Sequence, residues 1–333
     1  MASWSSVAPK LNSQSYIQSL REFNGKLYGG TLTGGRLFEW NDSNAWVQVA
    51  PQLDSQQYII DLIEHDSKLY GSTYPNGRLF EWNGTNAWAS VAPELNSQTS
   101  VQCLLSFGSD IYAGTNPGGR LFKWNGTNAW TQVAPQFGSE KGIMDIKEFN
   151  GKIYGCTNFT GMLLEWNGTN AWTQAAPKYG SETRINKIEV HGGKIYGGSV
   201  PNGNLLVWNG TDAWTQAAPK YSSETTIQSL RSAGGVLYGG SSPNGNLLAW
   251  NGTDAWTQAA AKLNSETTIR ALEVYGNKMY GGTSASGNLF LWSGDLSRIR
   301  EYDTSFTGKL AQVYSGTVWE DKPLRVFDGT DWV

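Results

Sequence analysis

Residues able to carry acid–base, nucleophilic or metal chemistry are few, and a repeat of 42 residues shows what replaces each of them. Imidazole chemistry would have to use His65 or His191, the only histidines present. Both occupy a repeat position that elsewhere holds Phe23, Phe107, Phe149, Ala233 and Tyr275. A slot shared with Phe and Tyr is an aromatic packing slot, and two histidines three repeats apart make neither a zinc site nor a Ser-His-Asp triad. Paired carboxylates would suit general acid–base work. The candidates, Asp61 and Asp145, share a position filled elsewhere by Ser19, Cys103, Lys187, Ser229 and Ala271, with no partner base in view. Cys103 and Cys156 fall at non-equivalent positions and read as buried free thiols. Arg36, Arg78 and Arg120 recur in three units and then give way to Met162, Asn204, Asn246 and Asn288. Asn-Gly-Thr sequons begin at Asn83, Asn125, Asn167, Asn209 and Asn251, but Asn-Gly is also what a tight turn demands. Turn chemistry is the reading taken, and no catalytic residue, metal or cofactor is expected.

The elements that would position these groups follow from the period. Trp40, Trp82, Trp124, Trp166, Trp208, Trp250 and Trp292 are evenly spaced, as are Trp4, Trp46, Trp88, Trp130, Trp172, Trp214 and Trp256. A third series runs from Tyr28 to Tyr280 at the same interval. Units are close copies: Gly197–Leu230 and Gly239–Leu272 differ at seven of 34 positions. Each unit predicts four short strands, in the second unit A over 58–62, B over 68–71, C over 78–82 and D over 88–92. Asn24-Gly25, Asn76-Gly77 and Asn83-Gly84 predict tight connections, and Pro51, Pro93, Pro135, Pro177 and Pro219 end strand D. Along strand C, Phe80 and Trp82 share one face and Leu79 and Glu81 the other. The Glu becomes Val207, Ala249 and Leu291 in later units, as a sheet packed on both faces requires.

Four-stranded antiparallel units of this length, repeated around a ring, are the signature of a β-propeller. The doublet Gly29-Gly30 after strand B, followed by Trp40 and Trp46, resembles the kelch blade. It is also similar to tachylectin-type lectin blades and to repeat-amplified propellers of bacterial and phage proteins. This resemblance spans residues 1–292 and implies an all-β propeller; fold alone does not fix function. The divergent stretch 293–333 predicts a worn last blade, with strand A over 309–314, B over 317–320 and C over 324–327, while 296–302 supplies strand D of blade seven. The N-terminal strand Trp4–Ala8 lacks an A, B or C before it and is expected to close the ring on that last blade. The count is then eight blades in one domain over 1–333; seven blades with a C-terminal extension is the alternative, and Trp332 competes with Trp4 for one slot.

Composition narrows the function. Gly is 40 of 333 residues, and charged residues are 16% against a usual ~25%. A net charge of −3 gives no electrostatic reason to expect nucleic-acid binding. No apolar run approaches the ~18 residues of a membrane span, and no signal peptide is visible, so synthesis in the cytoplasm and association with a virion are the expectation. Close copying repeats loops as well as core, which suits multivalent recognition. The leading expectation is a non-enzymatic, lectin-like recognition or adhesion propeller that binds surface glycans or a host-surface receptor, as part of a phage virion or tail appendage. The alternative is a structural propeller contacting neighbouring virion or scaffold proteins; a propeller glycosidase comes third. The expected binding face carries the D–A and B–C loops. Its candidate residues are Ser55, Gln56, Ser181, Glu182, Ser223, Glu224, Ser265 and Glu266 in D–A, and Asn76, Asn202 and Asn244 in B–C.

Overall fold

The computed structural model describes residues 2–9, 14, 16–32, 34–52, 55–95, 98–262, 265–284, 286–296, 310–314 and 319–323. Among these, regular structure is entirely β, in two compact units, residues 1–298 and 299–333. In the first unit each repeat is an antiparallel meander. Blade 1 runs Ile17–Phe23, Lys26–Thr31, Leu37–Trp40 and Trp46–Ala50, from channel to rim, and five further blades repeat it. Blade 7 has strands Thr268–Tyr275, Lys278–Ser284 and Leu289–Trp292, and its fourth strand is the N-terminal Trp4–Ala8, with Trp4 opposite Trp292. The N-terminal strand closes the ring as expected, but onto the seventh blade.

Of the two blade counts, the ring therefore holds seven, and the joints between blades show why no eighth fits. Tyr28 of blade 1 packs on Trp82 of blade 2 with centroids 5.0 Å apart, and Tyr154 meets Trp208 at 5.1 Å. The last joint is the same: Tyr280 of blade 7 meets Trp40 of blade 1 at 4.9 Å. Ile17 and Leu20 of blade 1 share a core cluster with Ala271 and Leu289 of blade 7. Aromatic rings at tilted angles make large, geometrically specific contacts, so seven like joints fix the blade rotation.

The glycine doublet has a steric cause. A Cβ on Gly29 would stand 2.9 Å from the Trp46 ring of its own blade, and one on Gly30 would stand 2.7 Å from Ile59 of the next. The first glycine seats the strand-D tryptophan and the second seats the neighbouring blade. Gly282 repeats this across the closing joint, 2.7 Å from Ile17. The turns are less uniform than the sequence suggests. Asn24 and Gly25 both have positive φ, 49° and 69°, as a two-residue hairpin needs. The C–D connection instead spans five residues, and only Gly84 of Asn83-Gly84 turns left-handed, at 82°. Asn83 works through its side chain there: Oδ1 accepts from the N–H groups of Thr85, Asn86 and Ala87 at 2.9–3.0 Å.

The second unit contains strands Leu310–Tyr314 and Trp319–Pro323, paired antiparallel from Leu310 opposite Pro323 to Tyr314 opposite Trp319. The first coincides with the strand A expected over 309–314, and the second begins two residues later than the strand B expected over 317–320 and runs to Pro323. Of the strand expected over 296–302 only Leu296 is described, and it lies in a bend; the strand expected over 324–327 and Trp332 lie outside the described residues.

Candidate functional site

Every strand A carries the same bulge: its pairing with strand B slips between Ile17 and Ser19 in blade 1, and between Ile269 and Ala271 in blade 7. A bulge leaves one residue unpaired and re-aims its side chain. The bulged residues and those just after them line the central channel, a cavity of about 260 Å³.

On the face carrying the D–A and B–C loops, the expected site residues separate into two layers. Gln56, Glu182, Glu224 and Glu266 are at most 2% exposed. They face inward and hold the B–C loop of their own joint. Glu224 Oε2 accepts from the Asn244 N–H at 3.2 Å and its Oε1 from Asn246 Nδ2 at 2.6 Å. Glu182 binds Asn202 N–H and Asn204 Nδ2 at 3.2 and 2.6 Å, while Gln56 Oε1 accepts from the Asn76 N–H at 3.4 Å. Burial pushes the Glu266 carboxyl up, against hydrogen bonds from Thr283 and Ser286. Ser55, Ser181, Ser223 and Ser265 are exposed, and Asn76, Asn202 and Asn244 are half-buried beside them. Asn202 Nδ2 donates to Ser181 Oγ at 2.8 Å, and Asn244 Nδ2 donates to Ser223 Oγ at 2.9 Å. The outer layer thus presents a matched hydroxyl–amide pair in each of blades 5 and 6, on loops fixed from beneath by buried carboxylates.

The channel holds a second polar array, of which the sequence marks only Asp61 and Asp145 as candidates. Lys187 Nζ pairs with Asp145 Oδ1 at 3.2 Å, Lys147 with Glu189 at 3.1 Å, and Arg231 with Glu273. Each pair joins neighbouring blades. Asp145 Oδ2 also accepts from the Ile188 N–H at 3.1 Å, and Asp61 clasps blade 3 through the Leu104 N–H at 2.9 Å. The two aspartates are therefore cross-blade ties, each bound to the next strand A. Burial raises the Asp61 carboxyl above its usual range, with Lys187 opposing. Burial works against the Lys187 charge too, but Asp145 and Asp61 outweigh it and hold the ammonium above its ordinary value. The signal that could have found this array is variation: the chain copies its loops faithfully while changing the strand-A positions, as in Asn186, Gln228 and Arg270.

The remaining candidates have structural partners. His65 Nδ1 lies 2.8 Å from Ser106 Oγ and His191 Nδ1 2.8 Å from Ser232 Oγ, one blade-to-blade contact made twice. His191 also meets Trp250 edge-on, and burial pushes its imidazole pKa down. Cys103 and Cys156 are buried free thiols, raised well above the ordinary range by burial. Among the described residues no group of three His, Cys, Asp or Glu side chains could hold a metal ion.

No family model matches the sequence, and no curated protein matches it. Solved structures do match its shape. The chain is similar to the WD40 β-propeller domain of Doa1, with a TM-score of 0.68 and 12% identity over 89% of this chain and 99% of that one. The fold is a β-propeller. YCF48 from Cyanidioschyzon merolae aligns at TM-score 0.64 and 12% identity, covering 87% of this chain and 98% of that one; YCF48 is also known bound to D1 peptide. Virginiamycin B lyase from Staphylococcus aureus aligns at 0.70 and 8% identity, over 88% and 99%. Likeness at these identities carries the propeller architecture alone.

Proposed function

We propose that this propeller is a non-enzymatic recognition module that binds a repetitive, hydroxyl-rich surface such as a glycan coat through its D–A and B–C face. The observation that carries this reading is the hydroxyl–amide pair repeated at the same place in neighbouring blades, Ser181–Asn202 and Ser223–Asn244. Each pair offers donors and acceptors at a fixed spacing on a loop that does not have to be ordered on binding. One such site is weak; several on one rigid disc multiply by effective concentration, by about 10² to 10⁴ where geometry lets them engage together. A virion or tail appendage meeting a host coat is a setting suited to that gain. The non-enzymatic part rests on the channel carboxylates, each tied to a cation or a backbone N–H.

The test is a glycan array printed at several densities, followed by Asn76→Ala, Asn202→Ala and Asn244→Ala singly and together. Binding that steepens with density and falls stepwise with each replacement, at unchanged Tm, is the expected result. A blank array, or full binding by the triple variant, defeats it.

A protein partner is the second reading, favoured by one observation on the same face. Phe159, in the B–C loop of blade 4, is 47% exposed with φ of 127°, and Lys141 Nζ sits 4.7 Å from its ring centre. An exposed aromatic held in strained backbone is a natural anchor for a polypeptide. Pull-down by the native chain that is lost in Phe159→Ser, with a blank glycan array, would select this reading.

A further inference from the structure

The channel-facing bulge residue is an amide in most blades, including Gln18, Gln102 and Gln228, but in blade 7 it is Arg270. Blades 6 and 7 are near copies, and Gln228 against Arg270 is one of the seven differences across the 34 positions compared above. A cation has been placed at this one point of the ring.

Charge inside the channel closes without it. Asp145, Glu189 and Glu273 pair with Lys187, Lys147 and Arg231. Arg21, on strand A of blade 1, lines the same channel, and its charge favours ionisation of both Asp61 and Glu273 on the blades to either side. Arg270 is the surplus cation, at the end of strand A nearest the D–A loops. Its guanidinium carbon lies 5.0 Å from the centre of the Tyr16 ring, and Nη1 donates to Gln18 Oε1 at 3.3 Å. Its Nε is buried with no acceptor, and no carboxylate pairs with the group among the described residues. Burial lowers its pKa, as expected for a guanidinium drawn out of water without a counter-charge. A desolvated, planar fork of donors backed by an aromatic ring is the arrangement that binds a carboxylate.

We propose that Arg270, with Tyr16 and Gln18, reads the carboxylate of an acidic sugar unit of the hexuronate kind, seated in the channel mouth. The cavity of about 260 Å³ lies below the ~300–1,000 Å³ of drug-sized pockets, which suits a single ring. The amides of Gln228 in the adjacent blade 6 and of Gln102 elsewhere on the channel wall supply donors and acceptors for ring hydroxyls. A neutral sugar leaves the guanidinium unpaired. The site is distinct from the rim pairs; it extends the glycan reading to acidic coats but does not depend on the rim.

Calorimetry on the full chain with free glucuronate, glucose and inorganic phosphate tests it. Glucuronate is expected to bind at one site per chain, with glucose and phosphate at least tenfold weaker. Arg270→Gln installs the side chain that blade 6 already carries there; it should keep its Tm and lose at least tenfold in glucuronate affinity. No glucuronate binding by the native chain, a smaller loss in Arg270→Gln, or glucose or phosphate binding within tenfold of glucuronate overturns the proposal. Should the variant fail to fold, the Arg270 Nε–H resonance of the native chain decides: a saturable shift with glucuronate supports the site and an unmoved resonance overturns it. A blank glycan array with glucuronate bound would defeat the rim reading and leave this one standing, and the reverse result would do the opposite.

Discussion

Glu224 shows at single-residue scale how a polar side chain on a candidate binding face can belong to the core. It is fully buried and accepts from the Asn244 N–H and from Asn246 Nδ2. Replacing it with Ala strands both donors in an interior that water does not reach. A hydrogen bond to a charged group contributes ~1.5–3 kcal/mol, so Glu224→Ala should lower stability by about 2–3 kcal/mol in chemical denaturation. Its exposed neighbour gives the contrast: Ser223→Ala should stay within ~0.5 kcal/mol. Equal effects from the two variants would show that Glu224 does not anchor the loop. The sequence placed Ser-Glu and Asn-Gly on the correct loops, because hairpin order fixes which connections share a face. It could not tell the inward Glu from the outward Ser. In the fold Glu224 points inward because the B–C connection of the same blade brings the Asn244 N–H and the Asn246 amide within its reach.

At the scale of an element, the N-terminal strand matters more than its length suggests. Trp4 and Ala8 are 5% and 0% exposed, and the Trp4 ring covers Gly281, where a Cβ would stand 2.9 Å away. Trp4 joins Phe290, Leu247 and Ile269 in one core cluster. Deleting residues 1–10 removes that ring and opens the outer edge of blade 7 along Leu289–Trp292. Truncating a buried Trp alone costs ~3–5 kcal/mol, and loss of the paired strand adds to it. A fall in Tm of more than about 10 °C is therefore expected by calorimetry. A truncated chain melting within about 2 °C of the parent would mean that this strand does not hold the blade. Strand existence and order were legible from periodic Trp, Tyr and Gly. The destination of the orphan strand was not, because pairing to blade 7 or to a later blade looks identical in a local pattern. The seven aromatic joints decide it, and they depend on the rotation per blade, which no single repeat encodes.

For the whole molecule, closure changes the kind of stability a repeat protein has. An open array unfolds as a chain of nearest-neighbour units and frays from its ends. Here Tyr280 packs on Trp40, Gly282 receives Ile17, and Tyr275 donates to the Gly25 carbonyl at 3.0 Å, so blade 7 has the same kind of neighbour as every other blade. No terminal blade remains from which unfolding could begin. All of these contacts lie within residues 1–298, the first compact unit. A chain ending at Arg298 should therefore unfold in one cooperative transition with a Tm within about 3 °C of the full chain. Calorimetric and van't Hoff enthalpies should agree, because a closed ring cannot lose one blade without breaking two joints. A broad transition, or an enthalpy ratio showing several independent units, would mean that the joints are too weak to couple the blades. A large fall in Tm would mean that the ring draws its stability from residues 299–333. Agreement would establish the seven-bladed ring as the folding unit that carries both the D–A and B–C loops and the channel.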